Sequence, residues 1–342
     1  MATLVMRVMR PPLDRVSAWW DTCRLVCFEA RVLKSLGLIL AHLILIAPLS
    51  VALAALLRLQ AHQADLLVQF TAPALIACVG FGLLLLLFRL YPAALSALVI
   101  SGLLVWANWP QWQPAASAPA PASPRFTLYS ANLWGRNHDV EMIERSIKAA
   151  NADILILIEI SPEVRSQSDR LFADYPHRLY AGGSHRPASS AVISRYPLVN
   201  VPGTKHPETV AAFAETPLGP IHLMAAHLTR PWPFQPHSEQ ARQVEVLRHL
   251  RQNIQGPVIL AGDFNAVSHG AIGRHIQTDL GLTPAPALLG TYPAFLPSPL
   301  AMAIDHVWHT PDLNLTRRLG QKNGSDHRPV IVQISRAAPP RP

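Results

Sequence analysis

The sequence predicts an α/β protein in which two mixed β-sheets, flanked by helices, are preceded by three transmembrane helices. Two changes in composition lead to this prediction. Between residues 36 and 109 the only charged residues are Arg58, Asp65 and Arg89, which is typical of a membrane region. From residue 125 onwards charged residues return at ordinary density, and short apolar segments alternate with amphipathic ones. The 342 residues are enough for a membrane part and a domain with its own core.

Three apolar segments make up the predicted membrane part, at residues 36–57, 66–88 and 91–109. A spanning helix needs about 20 predominantly apolar residues, and all three segments are near this length. The third carries Tyr91, Trp106 and Trp109 near its ends, where interfacial aromatic residues are common. A buried helical hairpin is the alternative, but helices of globular proteins normally keep one polar face. We therefore predict a membrane anchor at residues 36–109 with three spans.

Basic residues predict the orientation of this anchor. The arm at residues 1–35 carries six before the first span, at positions 7, 10, 15, 24, 31 and 34, whereas the two loops carry only Arg58 and Arg89. Because basic loops stay in the cytoplasm, the arm is predicted to be cytoplasmic. Three crossings then place the rest of the chain on the other side, which for a bacterial inner membrane is the periplasm. Loss of the third span would reverse this prediction.

A stretch rich in proline and alanine, residues 110–124, is predicted to be an extended linker between the anchor and a separate domain at residues 125–342. Lys and Arg outnumber Asp and Glu in that domain by 21 to 17. This mild excess is compatible with phosphate-bearing substrates, but a dedicated nucleic-acid binder would be more basic. All three cysteines precede the linker, which excludes disulfides and thiol catalysis in the domain.

Predicted strands and helices follow one another through the domain. The stretch RFTLYSANL indicates a strand, and DVEMIERSIKAA a helix with Val140, Ile143 and Ile147 on one face. SEQARQVEVLRHLRQNI is a second amphipathic helix, and VAAFAETPLGPIHLMAAHL a hairpin. The remaining predicted strands are ADILILIEI, SAVISRYPL, PVILAGDF, AIDHVWH and PVIVQIS. Because hairpins alternate with crossovers, mixed sheets that pack on each other fit better than one parallel sheet.

Polar residues recur at the ends of these strands, and they are Asn132, Glu159, His227, Asp263, Asn265, Asp305, Asp326 and His327. A rigid sheet can bring strand ends together at one edge. Glu159 follows five aliphatic residues with no adjacent Lys or Arg, and burying an unpaired carboxylate costs several kcal/mol. An oxygen-ligated divalent cation such as Mg²⁺ is therefore its expected partner. Arg230 and Trp232 either grip a substrate, touch the nearby bilayer or form a rigid loop between prolines, and they stay outside the predicted site.

The motifs SANLW, ILIEIS, SSAVISRYPL, AAHLTR, AGDFNA, AIDHVW and GSDHRP, in this order, resemble the endonuclease/exonuclease/phosphatase superfamily, which is related to deoxyribonuclease I. The resemblance covers residues 125–336 and extends to membrane-anchored bacterial members. It implies that the fold is a four-layer α/β sandwich. One residue departs from the pattern of some members, because Trp134 stands where they carry a second acid.

The resemblance also implies roles for the strand-end residues. Glu159 would ligate Mg²⁺, with Mn²⁺ as a possible substitute, assisted by Asn132. Asp326 would lie near the metal or orient its water. Asp263 would position or deprotonate the attacking water. The remaining implied roles concern the phosphate of the substrate. Asn265 would hold one phosphate oxygen, and His227 and His327 would contact the phosphate as well. Asp305 would orient His327 and keep it cationic.

Taken together, these inferences predict a membrane-anchored, divalent-metal-dependent phosphoesterase that hydrolyses phosphodiester or phosphomonoester bonds by in-line attack of water. The substrate stays open between a nucleic acid, a phospholipid headgroup and a small phosphate ester, and no protein partner can be inferred. The alternative is a catalytically inactive descendant that serves as a membrane-tethered binding or signalling module. Such a descendant should have lost some of the ligands, whereas the sequence retains the full set.

Overall fold

A computed structural model describes residues 13–59, 61–113, 124–181, 190–201, 209–231 and 237–337. The helices are α1 (Leu13–Leu56), α2 (His62–Val68), α3 (Thr71–Leu87), α4 (Tyr91–Trp112), α5 (Val140–Ala150), α6 (Pro162–Ser166), α7 (Ser168–Leu171), α8 (His237–Gln252) and α9 (Ala271–Leu280). The strands are β1 (Arg125–Asn132), β2 (Ile154–Ile158), β3 (His177–Tyr180), β4 (Ser190–Ser194), β5 (Leu198–Asn200), β6 (Thr209–Thr216), β7 (Gly219–His227), β8 (Val258–Asp263), β9 (Thr283–Pro284), β10 (Asp305–His309), β11 (Leu313–Leu319) and β12 (Val330–Arg336). Helices α1–α4 are called the anchor below, and residues 124–337 the sandwich.

Two helical segments of the anchor, Arg31–Leu56 and Tyr91–Trp112, are long and apolar enough to cross a membrane. The second predicted span is not one helix, because it divides into α2 and α3, which are bent by 59° relative to each other. The prediction of three continuous spans is therefore wrong, and the anchor reaches three only if this bent pair crosses as one unit. Gln69 lies at the break, and its side chain accepts a hydrogen bond from the sandwich instead of facing the anchor. The predicted basic arm at residues 1–35 stays a prediction; α1 begins within it, at Leu13, and its candidate span begins at Arg31.

Each sheet of the sandwich has six strands and is mixed, as predicted. The first has the order β11-β12-β1-β2-β4-β3 and the second β5-β6-β7-β8-β10-β9. Among the strands that the structure describes, two neighbouring pairs are parallel, β1 with β2 and β7 with β8, and the others are antiparallel. The predicted hairpin forms β6 and β7, which pair from Thr209–Ala226 to Thr216–Gly219 across its turn.

Three apolar cores separate four layers. Inward-facing residues of both sheets, such as Ile156 and Ile259, fill the space between the sheets. Ile143 and Ile147 of α5 pack against the outer face of the first sheet. Helices α8 and α9 cover the second sheet in the same way, with Leu247 and Ile276 in its outer core. Because both faces of each sheet are covered, central strands such as β2 are apolar on both sides, and the cores on the two faces produce the predicted sheets flanked by helices.

Some elements have no counterpart in the sequence prediction, and α9 is the instructive case. Its N-terminal residue is preceded by Gly270, which offers no capping side chain, so no local signal marks the start of the helix. The cap comes from far away in the chain, because Asp65 Oδ1 of α2 accepts a hydrogen bond of 2.6 Å from the backbone N of Ala271. Strands β3 and β11 were also not predicted.

The anchor contacts the sandwich directly at the loop between β8 and α9, residues 264–270, called the β8–α9 loop. Gln69 Oε1 accepts a hydrogen bond of 2.9 Å from the backbone N of Val267. His269 lies between the Thr71 hydroxyl, 3.0 Å from its Nε2, and Gln111 Oε1, 3.2 Å from its Nδ1. The polar side chains of this contact are buried. Residues 110–112 of the predicted linker are the end of α4, and residues 114–123 lie outside the described residues, so the extended linker stays a prediction; the anchor and the domain are nevertheless in direct contact.

Candidate active site

The carboxyl ends of the two parallel strand pairs meet at one edge of the sandwich. Asn132 ends β1, and Glu159 directly follows β2 in the same sheet. In the other sheet His227 pairs with Asp263, and Asp263 pairs in turn with Asp305. Because both parallel pairs end at this edge, the predicted strand-end residues come from both sheets to one place.

Glu159, His227 and Asp263 form a first group whose ligand atoms lie within 4.8 Å of one another. His227 Nε2 is 3.5 Å from Glu159 Oε1 and 3.9 Å from Asp263 Oδ2. The side-chain amide of Asn132 donates hydrogen bonds to both acids, at 2.9 Å to Glu159 Oε1 and 3.0 Å to Asp263 Oδ2. Asn132 therefore holds one carboxylate from each sheet at a fixed separation.

Asp263, Asp305 and His327 form a second group with the same spacing, and all three are buried. His327 Nδ1 lies 2.9 Å from Asp305 Oδ2, and its Nε2 lies 3.7 Å from Asp263 Oδ2. Burial acts to lower the pKa of His327, but the negative charges of Asp305 and Asp263 outweigh it and raise this pKa to about 10. Burial acts to raise the pKa of Asp305, but the charge and hydrogen bond of His327 lower it overall. His327 is therefore an imidazolium near neutral pH.

Asp263 belongs to both groups and is 1 % exposed. Burial raises the pKa of this carboxyl. The glycine before it is required by the close approach of β7: Gly262 has φ +145°, and a Cβ there would lie 1.9 Å from the carbonyl oxygen of Ala226. The backbone N of Asn265 donates to Asp263 Oδ1 at 2.9 Å. The polar tip of this interior strand is thus the point at which the two groups join.

Glu159 differs from its expected environment. Its side chain is 33 % exposed, and it accepts hydrogen bonds from Asn132 and from the backbone N of Gly135. The predicted unpaired, buried carboxylate is therefore wrong, because β2 ends just before Glu159 and the side chain of Glu159 lies in a cleft. Glu159, Trp134 and Asn265 all have positive φ, which places three of the six such non-glycine residues of the described chain at this cleft. Strained backbone of this kind often marks a functional site.

The donor atoms that face the cleft suit a hard divalent cation. Glu159, Asp263 and Asp326 contribute carboxylate oxygens, the ligands that Mg²⁺ and Mn²⁺ prefer. Burial raises the pKa of Asp326, and the nearby negative charge of Glu159 raises it further, so a cation there would relieve a repulsion between acids. Asn132 Oδ1 accepts a hydrogen bond from the backbone N of Trp134 at 2.8 Å and retains one lone pair. Its predicted role as a metal ligand stays a prediction.

Asn265 is placed beside the cleft, but its amide is already engaged. Its Nδ2 donates to the carbonyl oxygen of Leu228 at 3.0 Å and lies 3.3 Å from Asp263 Oδ2. The predicted contact of Asn265 with a phosphate oxygen is untested by this arrangement. What the structure assigns to Asn265 is the support of Asp263 and of the end of β7.

Several residues of the cleft were not among the predicted site residues. The cleft has a volume of about 610 Å³ and is lined by six of the eight predicted residues, all but Asn132 and Asp305. Its other lining residues include Arg136, Arg230, Glu239 and Tyr292. The Tyr292 ring lies 4.7 Å from the His327 ring, and Arg230 Nη2 donates to the Tyr292 hydroxyl at 3.1 Å. Tyr292 comes from a segment without periodicity, so no sequence pattern pointed to it. The two guanidinium groups make the mouth of the cleft suitable for an anionic substrate.

Comparison with known proteins agrees with the fold. Residues 129–327 match the profile of the Endonuclease/Exonuclease/phosphatase family. No curated protein sequence matches this chain. Among solved structures, the endonuclease/exonuclease/phosphatase from Bacteroides vulgatus is 12 % identical with a TM-score of 0.54, covering 62 % of this chain and 99 % of its own.

Two further solved structures show a similar extent of likeness. A functionally unknown conserved protein from Enterococcus faecalis V583 is 13 % identical with a TM-score of 0.52, and covers 62 % of this chain and 100 % of its own. The endonuclease domain of TRAS1, a telomere-specific non-LTR retrotransposon, is 16 % identical with a TM-score of 0.49, covering 62 % of this chain and 99 % of its own. At such identities the likeness concerns the fold alone.

Proposed function

Since this chain belongs to the Endonuclease/Exonuclease/phosphatase family, whose members are phosphoesterases and nucleases, we propose that it is a membrane-anchored, divalent-metal-dependent hydrolase of phosphate esters. The observation that carries the proposal is the sharing of Asp263 between two groups of acid and imidazole side chains in one cleft. One group offers oxygen ligands for a cation, and the other a cationic hydrogen-bond donor. Hydrolysis of a phosphate ester needs both.

Glu159, with Asp326 and Asn132 beside it, would hold Mg²⁺ or Mn²⁺. Bound there, the ion would neutralise negative charge on the phosphoryl oxygens. The oxygen chemistry of these side chains supports this assignment over zinc, which favours nitrogen and sulfur ligands.

Asp263 is the proposed acceptor of the water proton. Its Oδ2 faces His227 and His327, and its raised pKa makes it a stronger base than an exposed aspartate. In the reaction the water oxygen forms a bond to phosphorus and the P–O bond to the leaving group breaks. The leaving oxygen takes a proton from the solvent, and Asp263 afterwards returns the proton of the attacking water to the solvent. Asn132 and Asn265 fix the carboxylate of Asp263 during this step.

His327 and His227 are the proposed contacts to the phosphate. Asp305 binds His327 Nδ1 and thereby aims Nε2–H at the cleft, where it would donate to a phosphoryl oxygen. Because the imidazolium is present before substrate binds, no proton has to be recruited as charge develops in the transition state. His227 Nε2 borders the same space from the opposite sheet.

The two apolar helices support the proposed location in a membrane. We place residues 1–35 in the cytoplasm and the sandwich on the periplasmic side of a bacterial inner membrane, on the basis of the charge distribution described above. If the bent pair α2–α3 crosses as one unit, the ends of α1 and α4 that contact the sandwich lie on that side.

The test uses the full-length chain in detergent or vesicles, because the sandwich is bound to the anchor. Hydrolysis of p-nitrophenyl phosphate, bis-p-nitrophenyl phosphate and plasmid DNA is measured with Mg²⁺ or Mn²⁺ and after chelation. Glu159→Gln and His327→Gln are each expected to lower kcat by at least about 100-fold. Glu163→Gln and His275→Gln, in exposed residues of the same types, are the matched controls and should keep full activity.

Activity that survives chelation and both site substitutions would refute the proposed mechanism. A chain that binds Mn²⁺ in calorimetric titration but hydrolyses none of the esters would instead be the inactive binding module that the sequence left open as an alternative.

A further inference from the structure

One segment of the sandwich connects the anchor to the proposed active site. It is the connection between β9 and β10, residues 285–304, called the rim loop. The backbone N of Ala287 donates to the carbonyl oxygen of Gln111 in α4 at 2.8 Å, and the Gln111 side chain donates back to the Ala287 carbonyl at 3.2 Å. Further along, the short 3-10 helix Ser298–Leu300 packs against α3. Both halves of the rim loop therefore lie against helices of the anchor.

The position of the rim loop relative to a bilayer follows from α4. Trp106 and Trp109 are exposed near the end of this helix, where tryptophan marks the membrane interface. Gln111 is two residues beyond Trp109, which is about 3 Å along the helix axis. A membrane that contains α4 thus has its headgroup layer at the height of Ala287 and its neighbours.

The rim loop exposes apolar side chains in both of the halves that lie against the anchor. Of the six large apolar residues exposed in the described sandwich, four belong to it: Leu288, Leu289, Phe295 and Leu300. Phe295 is 78 % exposed, which exceeds the exposure of every large apolar residue described in the anchor. Exposure of such side chains to water is unfavourable, whereas their burial at the boundary between lipid headgroups and acyl chains is favourable.

The same loop forms part of the active-site cleft. The ring of its Tyr292 packs on the ring of His327, and the hydroxyl oxygen of its Thr291 accepts a hydrogen bond from the backbone N of Asp305. The backbone N of Ala294, next to Phe295, donates to the carbonyl oxygen of Asp326 at 2.7 Å. Only a few residues therefore separate the exposed apolar side chains from the groups proposed to act on phosphate.

We propose that the rim loop inserts into the headgroup layer of the membrane that holds the anchor. The substrate is then a phosphate ester carried by a lipid of that membrane, an inference that rests on the proposed function. The occupant of the apolar surface is the bilayer, because the rim loop that carries it packs against α3 and against the end of α4, next to the exposed interfacial Trp109. Arg136 and Arg230 line the cleft and match the negative charge of a lipid phosphate. The bilayer then supplies substrate at high local concentration to a site fixed at its surface.

Contact between the rim loop and lipid is tested by photo-crosslinking, a measurement that does not depend on catalytic activity. The photo-crosslinking residue p-benzoylphenylalanine replaces Phe295 in the full-length chain, which is reconstituted into vesicles of phosphatidylethanolamine and phosphatidylglycerol. Val199 is the control position, because it is 62 % exposed and lies in β5, at the opposite edge of the same sheet from β9. A lipid adduct at position 295 and not at 199, detected by mass spectrometry, is expected. Equal labelling at both positions, or none at 295, would overturn the proposed insertion.

The substrate is tested with the double substitution Leu288→Ser and Phe295→Ser, and with Val199→Ser as the matched control. We expect the double variant to lose on the order of tenfold in the rate of headgroup release from the vesicles. Its rate on bis-p-nitrophenyl phosphate should be unchanged, because neither residue contacts the cleft. Val199→Ser should resemble the unmodified protein with both substrates.

The outcomes separate this inference from the proposed function. A chain that hydrolyses bis-p-nitrophenyl phosphate or DNA but no vesicle lipid would overturn the lipid substrate and leave the hydrolase in place. Equal loss with the soluble ester would also overturn it, since the rim loop would then act on the site itself. A chain that hydrolyses neither would remove the proposed function and the lipid substrate together.

Discussion

Substitution of Asp65 by alanine tests whether the anchor stabilises the sandwich beside its proposed active site. Asp65 is 4 % exposed, and its Oδ1 caps α9 through the hydrogen bond to the Ala271 backbone N. Loss of an N-cap costs about 0.5–2 kcal/mol, and loss of a hydrogen bond to a charged group about 1.5–3 kcal/mol. We therefore expect Asp65→Ala to lower the free energy of opening α9 by about 2 kcal/mol.

The assay is hydrogen–deuterium exchange of the full-length chain, followed by mass spectrometry. A loss of about 2 kcal/mol corresponds to roughly 30-fold faster exchange where opening of α9 limits the amides. The increase should be confined to the β8–α9 loop and α9. Asp65→Asn keeps a side-chain oxygen that can cap the helix, so it should restore most of the protection.

A matched control is Asp312→Ala, which removes an exposed carboxylate that pairs with Arg336. Exposed ion pairs contribute little, so this change should leave exchange in α9 as it was. Unchanged exchange in Asp65→Ala would refute the reasoning, because α9 would then be stable without its cap from the anchor.

The other predictions concern the strand tip, acid stability and the metal. Gly262→Ala should destabilise the sandwich by more than about 3 kcal/mol, seen as a lower melting temperature, because its Cβ would overlap the backbone of β7. Burial and the charge of Arg274 lower the pKa of His269 from 6.5 to about 4, and the charge of Asp65 opposes them. Above pH 6.5 His269 is neutral in both the folded and the unfolded chain, so its contribution to stability is fully present there. That stability should fall by up to about 1.4 kcal/mol per unit as the pH drops towards 4, and His269→Gln should remove this slope in denaturant titrations at several pH values. Glu159→Gln should weaken Mn²⁺ binding at least about tenfold in calorimetric titration, and binding unchanged by this substitution would contradict its role as a ligand.

The sheets and the position of the site could be predicted because their signals are local. Short continuous apolar runs such as residues 154–158 indicate strands that are buried on both faces, and polar residues at the ends of such runs stand out. Asp263 and His327 were predicted to lie together for this reason, and the structure brings them within 3.7 Å. The resemblance to a known family supplied the layer order, which periodicity alone leaves open.

What could not be predicted depends on contacts between distant parts of the chain. The apolar segment at residues 66–88 has the composition of a span, but Gln69 accepts its hydrogen bond from Val267, and the helix breaks there. The start of α9 is likewise set by Asp65, and Tyr292 reaches the cleft from an irregular loop. None of these partners can be read from neighbouring residues.

The break between α2 and α3 has a consequence for how the protein is made. Its buried polar side chains, Asp65 and Gln69, find their partners about 200 residues later in the chain, at Ala271 and Val267. During synthesis these side chains leave the ribosome long before their partners exist. The break between α2 and α3 therefore takes its final form only after residues 267–271 have been translated, and a chain cut short in between lacks the two backbone N–H groups from which Asp65 and Gln69 accept hydrogen bonds.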